Sequence, residues 1–163
     1  MTTPASTPVS MTGIARNPPG WRRRLNDAAD RLSALPIDLV LAPAARLAMA
    51  AVFWLSGRTK VEGWLTVSEN AVTLFAEEYK LPLVSPELAA HAAAYAEHLL
   101  PALLVLGLFT RWSALSLLGM TAVIQVLVYP SAWPTHLTWA VALTYLAWRG
   151  AGAVSLDRWL HLR

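Results

Sequence analysis

The chain has 163 residues, 56% of them hydrophobic and 14% charged, and contains no cysteine. Soluble domains run at roughly 45–50% apolar and 25% charged, so these values and a mean hydropathy of +0.44 exclude an ordinary soluble fold. The missing cysteine excludes a disulfide scaffold, thiolate catalysis, cysteine-held zinc or iron–sulfur and covalent haem attachment.

Residues 1–20 are mostly Thr, Ser, Pro and Ala and read as a disordered tail, without the apolar stretch and cleavage site of a secretory signal. Within 21–36, Trp21, Leu25, Ala28, Leu32 and Leu35 recur at helical spacing opposite Arg and Asp. A solvated helix would carry the same pattern. A helix lying on the cytoplasmic membrane surface is favoured, because a span follows at once and the arginines suit anionic headgroups.

Four apolar segments follow, at about 38–57, 88–108, 112–129 and 133–149. Each approaches the ~20 residues that cross the hydrocarbon core, the last being the shortest. Trp54, Trp112, Tyr129, Trp133 and Trp148 fall at their ends, where aromatic rings settle among headgroups. The expected fold is all-α: an integral membrane four-helix bundle over 38–150, followed by a cytoplasmic tail over 151–163. With the N-terminus in the cytoplasm, Arg16, Arg22, Arg23, Arg24, Arg31, Arg111, Arg149, Arg158 and Arg163 are inside. Only Arg58, Lys60 and Lys80 are outside, as the positive-inside rule requires. The net charge of +3 and pI near 9.7 are thereby explained with no nucleic-acid partner.

The longest connection, 58–87, is placed outside. Thr66 and Glu69 have the spacing of a capping box, and the apolar period continues through Val67, Ala71, Leu74 and Phe75. This predicts a short amphipathic helix over the outer end of the bundle. Ser85-Pro86-Glu87 reads as the start of the second span, with an N-cap, proline at the first position and an acid in the first turn.

Ionisable groups inside spans cost at least ~2.5–3.5 kcal/mol and each needs a reason to be there. Counted from the cytoplasmic ends, Arg46 lies about 12 Å deep and Glu97 about 16 Å deep at 1.5 Å per residue, so the two are expected to pair. Such a pair either fixes helix register or handles protons or a ligand. Arg46, Ala50, Phe53, Gly57 and Lys60 share one helical face, expected to point into the bundle. Pro101 has no N–H for the carbonyl of Glu97, four residues earlier. His91 and His98 share a face but are too far apart for one metal; a haem between the second span and His136 is conceivable, though two histidines do not imply it. Gln125, Tyr129 and His136, with Lys60, form a candidate recess open to the outside. No P-loop, GxGxxG, HExxH or serine-nucleophile motif is present.

The order of several of these elements resembles the DoxX family of four-span bacterial membrane proteins. The resemblance rests on Arg46, on Ser56-Gly57 with Lys60 (S-G-x-x-K), and on "EHLLPALLVLGLFTR", which supplies Glu97, Pro101, Gly107, Thr110 and Arg111. It spans about residues 40–150. "LFAEEYKLP" and "IQVLVYPSAWPTH" further resemble a subgroup tied to copper-responsive systems. The resemblance implies a four-helix bundle in the bacterial inner membrane, and a membrane component of redox, quinone-linked complexes. Three roles are therefore set side by side: a non-catalytic or quinone-contacting membrane subunit of an oxidoreductase complex with Arg46, Glu97 and Lys60 as its buried polar core, an assembly factor or anchor for a partner protein with 58–80 as its docking surface, and a small metal- or proton-linked permease.

Overall fold

The computed structural model describes residues 19–34 and 36–162, with the Leu32 side chain excepted. The expectation of disorder over 1–20 thus falls outside the described residues up to position 18. Residues up to Leu35 form one unit and Pro36 onward another. In the first, α1 (Gly20–Ser33) is the expected helix, its Trp21 and Leu25 exposed and Arg22 over the Trp21 ring at 5.4 Å.

The second unit is almost wholly helical. Its long helices are α2 (Asp38–Arg58), α4 (Pro86–Leu106), α5 (Thr110–Val123, running on through a π-helical turn at Ile124–Val128) and α6 (Trp133–Arg149). The first three are long and apolar enough to cross a membrane; α6, with 17 residues, is the shorter fourth. They close a ring, α2 against α4, α4 against α5, α5 against α6 and α6 against α2. Met49, Ala50, Phe53, Leu104, Ala114, Leu117, Leu143 and Leu146 fill its centre. Leu47, Leu55, Leu99, Leu115, Val126 and Val141 face outward and exposed, as helices surrounded by hydrocarbon require.

Between α2 and α4 a two-stranded ribbon forms, β1 (Val61–Glu62) antiparallel to β2 (Thr66–Val67), with Val61 opposite Val67. The amphipathic helix α3 (Glu69–Leu74) then runs into a second π-helical turn, Phe75–Tyr79. Its start differs from the expected capping box. Thr66 is extended in the ribbon, so the N-cap falls to Ser68, whose Oγ accepts from the Ala71 N–H at 3.2 Å. Ala71 and Phe75 pack on Ala89 and Ala90 of α4, which lids that end of the bundle. The Ser85-Pro86-Glu87 start of α4 forms as expected, Ser85 Oγ accepting from the Leu88 N–H at 3.3 Å.

Residues 151–162 fold back onto the bundle rather than trailing from it. Ala151 is buried, and the short helix α7 (Leu156–Trp159) places the Asp157 carboxylate on the Phe109 and Thr110 N–H groups at 2.7 and 3.0 Å. This caps α5, whose own N-cap, Phe109, offers no side-chain acceptor.

The contact of α2 with α4 is closest at Gly57. A Cβ there would lie 3.0 Å from both Glu97 Cβ and the His98 ring, whereas a Cβ on Gly119 of α5 would meet nothing within 4 Å. Gly57→Ala is expected to cost about 1–3 kcal/mol by overpacking, and Gly119→Ala to gain about 0.5–1 kcal/mol of helix propensity. Unfolding of both variants in the same detergent tests the pair; equal effects would contradict the close approach.

Candidate functional site

Near the closest approach of α2 and α4 lies a buried ion pair that the sequence reading did not make. Lys60 Nζ donates to Glu97 Oε2 at 2.8 Å, to Ser56 Oγ at 3.0 Å and to the Ser56 carbonyl at 3.2 Å. All three ammonium protons are thus placed, and Glu97 is only 2% exposed. The ribbon sets the geometry: the Ser68 N–H donates to the Lys60 carbonyl at 3.0 Å, pinning the Lys60 backbone. Its side chain then turns back along α2, one turn above Ser56.

The expected Arg46–Glu97 pair is corrected. Arg46 is 11 residues from Gly57, about 16 Å along α2 at 1.5 Å per residue, and Gly57 is level with Glu97. The depths had been counted as if α2 and α4 began in one plane. Instead α2 runs well past the end of α4, and Arg46 lies beside Gly107. There it donates to the carbonyls of Leu104 (2.7 Å), Val105 (2.8 Å), Ala151 (2.9 Å) and Val154 (2.7 Å). These include carbonyls that the end of α4 leaves unsatisfied. Gly107 must be glycine on two counts, a φ of +65° and a Cβ that would lie 2.7 Å from Ser155 Cβ and 2.9 Å from Arg46.

The predicted inward face of α2 is buried throughout, at Arg46, Ala50, Phe53, Gly57 and Lys60. Of the histidines, only His98 stands at the ion pair. Its Nδ1–H donates to the Ala94 carbonyl at 2.6 Å, so the neutral ring presents Nε2 as an acceptor, and that atom is buried without a partner. Trp54 meets the ring edge-on at 4.9 Å. His91, two turns away, is exposed and hydrogen-bonded to the Glu87 carbonyl. Near that end the lid covers α4 at Ala89 and Ala90, leaving the His91 side uncovered.

The other recess residues form two separate contacts. His136 is bonded through Nδ1 to Gln125 Oε1 at 2.7 Å, and Gln125 Nε2 donates to the Pro130 carbonyl at 2.8 Å. Tyr129 Oη donates to Glu78 Oε2 at 2.6 Å. Tyr79, a residue the sequence reading passed over, connects the lid to the pair. Its ring lies 6.3 Å from that of Tyr129, edge-on. Burial, then the negative charges of Glu97, Tyr129 and Glu78, push its phenol up to about 12. The hydrogen bond to Glu78, then burial, raises Tyr129 as well. Pro101 is buried in α4 and leaves the Glu97 carbonyl without its helical N–H. Arg111 is exposed at the start of α5. Among the described residues no three His, Cys, Asp or Glu come together as a metal site.

A four-helix unit with apolar outer faces, long spanning helices and charged groups closed inside defines an integral membrane protein. The DoxX family model matches residues 41–130, more than half of the chain, and the protein belongs to the DoxX family. The matched stretch holds Arg46, Lys60 and Glu97. No curated protein and no solved structure matches it.

Two outcomes follow from the pair. Lys60→Met or Glu97→Leu alone leaves one buried charge unpaired and is expected to cost about 3–5 kcal/mol, while the double variant recovers most of it. Denaturant unfolding of the four chains measures the coupling; additive losses would mean that the two charges do not interact. For Tyr79, a raised phenol means that its contribution is complete below about pH 10 and lost as pH climbs through about 12. The unfolding midpoint of the parent should fall more steeply over that window than that of Tyr79→Phe, and parallel curves would contradict the shift.

Proposed function

We propose that this DoxX protein is a quinone-contacting membrane subunit of a redox complex in the bacterial inner membrane, with both termini in the cytoplasm and α1 on the inner surface. The observation that carries the reading is the buried Nε2 of His98, unpartnered beside the Lys60–Glu97 pair. A quinol supplies hydroxyl protons and two electrons when bound. His98 Nε2 is an acceptor for such a hydroxyl. Glu97 occupies the neighbouring position of α4. Lys60 fixes the carboxylate. The lid and the far end of α5 each carry a π-helical turn, Phe75–Tyr79 and Ile124–Val128, a backbone feature that recurs at functional sites. The donor set thus fits a quinol, and the electron acceptor belongs to the partner.

The ribbon favours a second role, as an anchor for a partner protein. Trp64 at its turn is 88% exposed, and Arg58 fixes that turn by donating to the carbonyls of Gly63 and Trp64 at 3.0 and 3.1 Å. A rigid, projecting tryptophan is the type of residue that dominates docking energy.

Mass spectrometry of the protein purified from its native membrane in mild detergent, covering polypeptides and extractable quinone, tests both. A retained quinone that is lost in His98→Leu, with the fold intact by circular dichroism, is expected. A partner lost in Trp64→Ala, with no quinone in either chain, would move the assignment to the anchor. A chain free of both would overturn the proposal.

A further inference from the structure

Far from the ion pair, at the Arg46 end of the bundle, Arg111, Arg149 and Arg158 line one open cavity of about 720 Å³, within the ~300–1,000 Å³ of ligand sites. Two carboxylates share it, and each is already engaged. Asp38 takes a contact from Arg149 and a hydrogen bond from Tyr145 Oη at 3.0 Å. Asp157 takes the two N–H groups at the start of α5. Among the described residues this leaves the guanidinium groups of Arg111 and Arg158 with no carboxylate on either. Beneath the cavity floor, Arg46 holds the Ala151 and Val154 carbonyls and adds a further buried positive charge with only neutral partners.

Such a surplus of fixed cation attracts an anion, and planar guanidinium groups match the paired oxygens of a phosphate. The walls decide which phosphate. Leu39, Phe109 and Trp112 also line the cavity, and Trp112 is 71% exposed. A free ion gains nothing from these apolar surfaces, whereas a molecule with a phosphate head and acyl chains gains from both. The cavity also opens at the ends of α2 and α5, two helices long and apolar enough to cross a membrane, and of α6, the level at which headgroups lie.

We propose that this cavity is a binding site for the phosphate headgroup of an anionic phospholipid, held by Arg111 and Arg158, with the acyl chains running along Trp112 and Leu39. Gly150 leaves room for Arg111, since a Cβ there would lie 3.3 Å from Arg111 Nε. The site is independent of the redox reading, and it ties the docked C-terminal segment to the membrane that the bundle spans.

The test is native mass spectrometry and thermal unfolding of the purified chain in mild detergent, offered phosphatidylglycerol, phosphatidylcholine or inorganic phosphate. Phosphatidylglycerol is expected to stay bound and raise the unfolding temperature, and R111Q/R158Q to weaken it by about tenfold or more. K80Q, which removes one positive charge from an exposed position at the opposite end of the bundle, is expected to leave that binding unchanged. R158Q alone alters an exposed side chain and should weaken retention without lowering the lipid-free unfolding temperature. Phosphatidylcholine held as firmly as phosphatidylglycerol, or phosphatidylglycerol held equally by R158Q and the parent, would overturn the proposal. Stabilisation by inorganic phosphate with no preference between the lipids would make this a free-anion site and overturn the lipid assignment.

Discussion

Helices in hydrocarbon gain no hydrophobic drive from packing on one another, so what aligns them has to come from close contact and polar pairing. In this protein both are concentrated where α2 meets α4. Gly57 lets the two backbones approach, and Lys60 folds back to meet Glu97 beside it. Neither charge could remain there alone, because a lone ion in low dielectric is far costlier than a matched pair. The ribbon, Ser68 and Ser56 read as supports of that pair: they hold the Lys60 backbone from one side and its ammonium from the other. The lid formed by α3 and its π-helical turn closes over the same end, and Tyr79 brings its ring within the field of Glu97.

The opposite end is joined by a different device. Arg46 lies on the same face of α2, but its partners are main-chain carbonyls from α4 and from the segment after Gly150. A guanidinium has five N–H donors in a fixed fork and can serve several acceptors at once. It gathers three pieces of chain: α2, the end of α4 and the segment after Gly150. Asp157 completes the loop by capping α5, so a residue near the end of the chain closes a helix start nearly fifty positions earlier.

Much of this was legible in the sequence, and the limits have physical causes. The spans, the start of α4 at Ser85-Pro86-Glu87 and the inward face of α2 follow from local spacing, and local spacing carried them correctly. The pairing of charges depended instead on how far α2 slides along α4, a tertiary quantity with no local signal. The S-G-x-x-K spacing did contain the answer in part, since Lys60 one turn after Ser56 can fold back along the helix. Thr66 was misread as an N-cap because a two-residue ribbon leaves almost no pattern of its own. The roles of Tyr79, Glu78 and Asp157 come from contacts across 47 residues or more, or from a lid whose position only the fold sets.

The contrast between the two buried cations bears on where chemistry can happen. A guanidinium keeps its proton in proteins and its carbonyl partners carry none to exchange, so the Arg46 cluster itself is fixed in charge. It can hold an anion but cannot hand a proton on. Ammonium, carboxylate and imidazole can each take or release one, and the Lys60–Glu97–His98 group combines all three within one turn of α4. All three are buried, and the lid residue Tyr79 has its phenol raised first by burial and then by the negative charge of Glu97. A proton arriving there changes a balanced pair into an unbalanced one, at a position where α2 and α4 depend on that balance to stay together. The α2–α4 contact is therefore held at one end by two groups that can exchange a proton and at the other by one that cannot.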